Sequence, residues 1–145
     1  MNNLIKIYEA VKDFGDRHEM VNEVLLVKSE DELEGREFNY RTMVIIPLEA
    51  SISREDNSPV YYIDLGVVMI DRVFKDDDNA NINSIDENIF VIGQLQDHLE
   101  QTDYDVEFGS VGLNTESLDD YNITTALADF TFTLSRKPFN RGINI

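Results

Sequence analysis

Ala126-Leu127-Ala128-Asp129-Phe130-Thr131-Phe132-Thr133-Leu134 is the stretch on which the fold turns. Successive side chains of a strand point to opposite faces. Ala126, Ala128, Phe130, Phe132 and Leu134 therefore line one side, and Leu127, Asp129, Thr131 and Thr133 line the other. Just upstream, Tyr104, Val106 and Phe108 alternate with Asp105 and Glu107, the period of a second half-buried strand. The polar, acidic segment Gly112 to Asn122 reads as the loop between them.

Working outward, Ile85, Ile89, Ile92, Leu95 and Leu99 share one helical face, and the helix runs to about Gln101. Ser84-Ile85-Asp86-Glu87 fits a capping box at its start, which leaves Lys75 to Asn83 as an exposed loop. Val60 to Val73 reads as a long strand. Phe38 to Ile52 reads as its antiparallel partner, with Pro47 at an edge or a bulge. The cluster Ser53 to Pro59 is the turn between these two strands. Val24-Leu25-Leu26-Val27 is a short strand closed by the polar stretch Ser29 to Gly35. Leu4, Ile7, Tyr8, Val11 and Phe14 form the apolar stripe of a first helix over residues 2–15, with Gly15 as its terminator. The order is α-β-β-β-α-β-β. It predicts one α+β domain over residues 1–135, two helices packed on a mostly antiparallel sheet, followed by a tail at 136–145.

Composition narrows the chemistry. The 145 residues hold 12 Lys and Arg against 29 Asp and Glu, a formal charge of −17, with 42% hydrophobic residues and no cysteine. Disulfide scaffolds, thiol catalysis and cysteine–zinc sites are excluded. The longest apolar run, Leu65 to Ile70, is strand-sized and flanked by Asp64 and Asp71, so no membrane span is expected. Met1 to Ala10 carries Lys6 and Glu9 and has no signal-peptide core. The seven glycines form no phosphate-binding motif. His18 and His98, the two candidate histidine bases, read as solvated helix-end residues, and two histidines far apart in sequence make a weak zinc case. A calcium hand starting at Asp77 would place Asn79 and Asn81 well. It would also put Ile82 where the turn needs glycine and Asn88 where a bidentate Glu must close the shell. Asp76, Asp77 and Asp78 are therefore expected in a solvated loop, and no catalytic, cofactor or metal residue is assigned.

One charge feature stands apart. The segment 136–145 carries Arg136, Lys137 and Arg141 with no acid, opposite in sign to the rest of the chain. With so acidic a body, an acidic neighbour is a better target for it than nucleic acid phosphates.

Val68-Met69-Ile70-Asp71-Arg72-Val73-Phe74-Lys75-Asp76, then a polar loop and Gly93-Gln94-Leu95-Gln96-Asp97-His98-Leu99, resembles small virion proteins of tailed phages infecting Bacteroidota, including crAss-like phages. The similarity of pattern covers nearly the whole chain. It includes the opening helix, Pro47 in the second strand, and Asp129 to Leu134 running into Arg136-Lys137-Pro138. The resemblance implies a tail-terminator-like fold and a non-enzymatic subunit of a neck or tail ring, of tail-terminator or head–tail connector type. Such a subunit is assembled in the host cytoplasm and resides in the virion. Implied partners are further copies in a cyclic homo-oligomer of about six or twelve subunits, neighbouring portal, neck or tail proteins, and DNA only in passage through the lumen. No cofactor and no membrane are implied. Contacts between subunits are expected from the hairpin tip (Arg54, Asp56, Asn57), the acidic loop (Glu116, Asp119, Asp120) and the tail (Arg136, Lys137, Arg141). Charge and size also suit an acidic DNA mimic that binds a host nucleic-acid enzyme. A small hydrolase would rest only on scattered acids and two histidines.

Overall fold

The computed structural model describes residues 4–55 and 58–135. Helix α1 (Leu4–Arg17) leads into strand β1 (Glu23–Leu26), a 3-10 turn (Glu30–Leu33), and strands β2 (Thr42–Glu55) and β3 (Ser58–Phe74). Helix α2 (Asp78–Glu100) follows, then β4 (Asp105–Leu118) and β5 (Tyr121–Ser135). The strands form a single sheet in the order β1-β2-β3-β5-β4. β1 runs parallel to β2, and every other pairing is antiparallel. The fold is α+β, with the element order expected.

Both helices cover one face of the sheet. Ala126, Ala128, Phe130, Phe132 and Leu134 of β5 lie beside Leu65, Val67 and Met69 of β3, and all are buried under Ile7 and Val11 of α1 and Val91, Ile92, Leu95 and Leu99 of α2. The alternation that opened the sequence is thus the floor of the main core. A smaller cluster on the other face joins Val27, Val44, Ile46 and Ile70, with Leu33, Phe38 and Tyr40 folded over it.

Several boundaries differ from those expected, each for a local physical reason. Gly15 does not end α1, which continues to Arg17. A Cβ on Gly15 would stand 2.7 Å from Val24 Cγ2 and 2.9 Å from Met43 Sδ, so glycine here permits close approach of helix to sheet. Ser84 does not cap α2 either. The cap is Asp77, whose carboxylate accepts from the Ala80 amide at 3.0 Å, and the expected loop 78–83 is the helix's opening turns. Asn81 strengthens that start by donating to the carbonyls of Phe74 and Asp77. The buried face of α2 is rotated towards Ser84, Asn88 and Val91, which leaves Ile89 40% exposed. Pro47 marks a bulge: pairing passes from Pro47↔Leu65 to Glu49↔Asp64 and skips Leu48.

Strands also run further than the turn residues imply. β2 starts at Thr42 rather than Phe38, and β2 and β3 pair as far as Glu55↔Ser58, so Ser53, Arg54 and Pro59 are strand. Asp56 and Asn57 lie outside the described residues. The stretch Gly112 to Asn122 is no loop but the outer part of a hairpin, with only Asp119 and Asp120 between Leu118 and Tyr121. Asp119 has φ of 55°, the left-handed conformation that Asp tolerates better than most residues. From Gly112 onward the edge strand β4 is exposed, so no apolar alternation betrays it.

Three substitutions check the packing. Gly15→Ala should destabilise by about 1–3 kcal/mol, through overpacking against Val24 and Met43, although alanine is the better helix former. In chemical denaturation, Leu95→Ala should cost about 2–5 kcal/mol, while Ile89→Ala should stay within about 0.5 kcal/mol of the parent. Equal losses at 95 and 89 would contradict the rotated face.

Candidate functional site

Arg41, one residue before β2, is only 7% exposed and spends all three arms of its guanidinium group. Nε donates to Asn88 Oδ1 at 2.8 Å, Nη1 to Glu87 Oε2 at 2.8 Å, and Nη2 to Asp71 Oδ2 at 2.9 Å. Asp71 sits on the helix-covered face of β3 and also accepts from Ser84 Oγ at 2.7 Å. The Ser84 and Thr124 hydroxyls are 2.5 Å apart, and Asn88 Nδ2 donates to Thr124 Oγ1 at 3.1 Å. The network ties the start of β2 to β3, α2 and β5, and no buried side-chain polar atom among the described residues is left without a partner. A guanidinium only 7% exposed and held by two carboxylates and an amide oxygen is committed to partners within the chain, so this centre fixes the fold. Sequence reading passed over it. Its trace was the polar pair Ser84 and Asn88, four apart and in line with Ile92, Leu95 and Leu99.

The two histidines come together despite their separation in sequence. Both rings lie 5.5 Å from the Phe14 ring, at an open cleft of about 770 Å³ between the ends of α1 and α2. His98 is exposed in the last turn of α2, as expected. His18 is not freely solvated: the Met20 amide donates to Nδ1 at 3.1 Å, which leaves Nε2–H to donate to Gln94 Oε1 at 2.5 Å. It fastens the end of α1 to α2. No serine or threonine among the described residues lines the cleft. Elsewhere on α1, burial against the core pushes the Tyr8 phenol above its ordinary range.

At Asp76 to Asn83 the helix begins where a calcium loop would have to curl, which takes Asn79 and Asn81 out of any hand-like arrangement. Among the described residues, no group of three or more His, Cys, Asp or Glu side chains is placed to hold a metal ion.

The expected contact residues fall at two ends of the sheet. Arg54 is exposed near the outer end of the β2–β3 arm, opposite Pro59. Glu116 lies on β4 opposite Ile123, and Asp119 and Asp120 form the β4–β5 turn, where the Asp120 carbonyl accepts from the Lys75 amide at 2.9 Å. With β3 running from Pro59 to Phe74 between these ends, they stand about 50 Å apart. Asp56, Asn57, Arg136, Lys137 and Arg141 lie outside the described residues.

Away from the helices, the second face of the sheet is largely open. At one end Arg72 stacks over the rings of Tyr121, at 4.4 Å, and Tyr40, at 5.1 Å. Towards the arm, the register sets Glu49, Asp64, Thr131 and Glu107 in one row across β2, β3, β5 and β4. Asp129 stands in the next row, opposite Gly66. Exposed Leu48 and Leu127 lie beside these acids.

No protein-family model and no curated protein matches this chain. No helix among the described residues is long and apolar enough to cross a membrane.

Arg41→Leu should lower stability by about 3–5 kcal/mol, because Asp71 is left largely buried without its cation and Asn88 Oδ1 without its donor. Glu87 is nearly half exposed, so Glu87→Gln should cost no more than about 1 kcal/mol. Urea titrations of the two variants check this contrast.

Proposed function

We propose that this chain is a structural, non-enzymatic subunit of a phage neck or tail ring, of tail-terminator or head–tail connector type. The observation that carries the reading is a pair of unlike apolar surfaces on opposite sides of one subunit. The outer side of α2 exposes Ile82, Ile89 and Phe90, and the open sheet face exposes Leu48, Phe74, Leu118 and Leu127. Unlike surfaces on opposite sides associate head to tail, and such contacts form a ring when the rotation closes. Strand β2, exposed from Leu48 to Arg54, adds an edge that an adjacent copy can meet. The resemblance to virion proteins of tailed phages supports the same reading.

Charge fits the setting. An acidic lumen repels DNA phosphates and lets a genome pass without adhering. Subunits of charge −17 also repel one another, so assembly depends on salt or on a neighbouring ring. The subunit would assemble in the host cytoplasm and reside in the virion.

Native mass spectrometry and negative-stain imaging across a salt series test the reading. A closed ring of about six or twelve copies is the expected result. A chain that stays monomeric at every salt concentration and beside virion neighbours overturns it. A monomer or dimer that captures a nucleic-acid enzyme supports the DNA-mimic reading instead.

A further inference from the structure

We propose that the open sheet face around Glu49, Asp64, Glu107 and Asp129 is the docking site for the basic segment 136–145 of a second copy of this chain. The inference rests on the ring reading and names the contact that joins its subunits.

The face is electrostatically unsatisfied. Glu49 stands directly opposite Asp64, a like-charge cross-strand pair that costs stability. Glu107 extends the row on the far side of Thr131. The Thr131 hydroxyl donates to Asp64 at 2.6 Å, which shares out the charge without neutralising it. None of the ion pairs among the described residues includes these four acids. The rows they occupy contain no Lys or Arg. Four carboxylates are therefore held on a rigid sheet, beside the exposed side chains of Leu48 and Leu127, with no ion pair to a Lys or Arg among the described residues.

The segment 136–145 has the complementary chemistry. It carries Arg136, Lys137 and Arg141, no acid, and the apolar residues Phe139, Ile143 and Ile145. Cations match the acid row, and apolar side chains match Leu48 and Leu127. Its ten residues span up to about 33 Å when extended, enough to cross the four strands of the row at roughly 5 Å each. A second copy is the occupant because β5 leads its own segment away from the row. Ser135 pairs with Val60 at the outer end of the sheet, while Thr131 and Asp129 lie behind it on the same strand. A chain would have to double back at once to cover its own face, whereas a neighbour's segment can enter from outside.

The chain has no cysteine, so engineered cysteines report contacts cleanly. Full-length L127C, isotopically labelled, is mixed with unlabelled K137C and oxidised at low salt. The expected product is the mixed disulfide pair in excess over either homodimer. Its yield should fall about tenfold when the L127C chain also carries E49Q, E107Q and D129N, since those changes remove three of the four carboxylates that face the segment. Absence of the mixed pair, or a yield indifferent to those three substitutions, overturns the proposal. So does an equal yield when I82C on the outer side of α2 replaces L127C. In the double variant L127C/K137C, a cross-link confined to single chains assigns the face to the chain's own tail and also overturns it. Native mass of the parent, measured in parallel, separates the two readings. A ring without the mixed cross-link removes the docking contact alone. A mixed cross-link with no closed ring leaves the contact standing and removes the ring.

Discussion

Arg41 is the constraint around which this molecule is organised. Its three arms reach Asn88 and Glu87 on α2 and Asp71 on β3, while Ser84 and Asn88 carry the network on to Thr124 of β5. Apolar packing alone would let α2 slide or rotate on the sheet at little expense, because Val, Ile and Leu side chains interchange readily. A guanidinium with fixed donor directions does not permit that freedom. The rotated face of α2, with Ser84, Asn88 and Val91 inward and Ile89 outward, is the orientation that satisfies Arg41.

This explains which parts of the fold were legible in the sequence. Where burial follows a simple period, as in Ala126 to Leu134, alternation alone located the strand, and the long β-prone stretch from Val60 to Val73 located its neighbour. Where a polar residue is buried through partners distant in the chain, no local pattern records it. Ser84 looked like a cap because its neighbours satisfy the capping-box spacing, yet its hydroxyl belongs to Asp71 and Thr124. Asp77 does the capping instead, and three successive aspartates concealed which one. The outer half of β4 was illegible for the opposite reason. An exposed edge strand buries neither face, so Gly112 to Leu118 has the composition of a loop and owes its conformation to pairing with β5.

The acid row is a further case of chemistry that only register discloses. Glu49, Asp64 and Glu107 are unremarkable among 29 acids until the ladder aligns them. A sheet is a stiff support, so charges placed on it cannot relax apart as they would in loops. Their repulsion persists in the lone subunit, and a cationic partner on that face would relieve it, so the proposed docking would also stabilise the subunit.

The position of β3 bears on how the chain is made. Its first partner, β2, precedes it by a short hairpin, but its second partner is β5, the last described strand, with Val60 pairing to Ser135. As the chain leaves the ribosome, one edge of β3 stays unpaired and the floor of the core stays absent until almost every described residue has been synthesised. Non-local pairing of this kind slows folding and leaves sticky edges exposed in the interval. The high negative charge acts in that interval too, since it holds crowded copies apart while the edge of β3 is open.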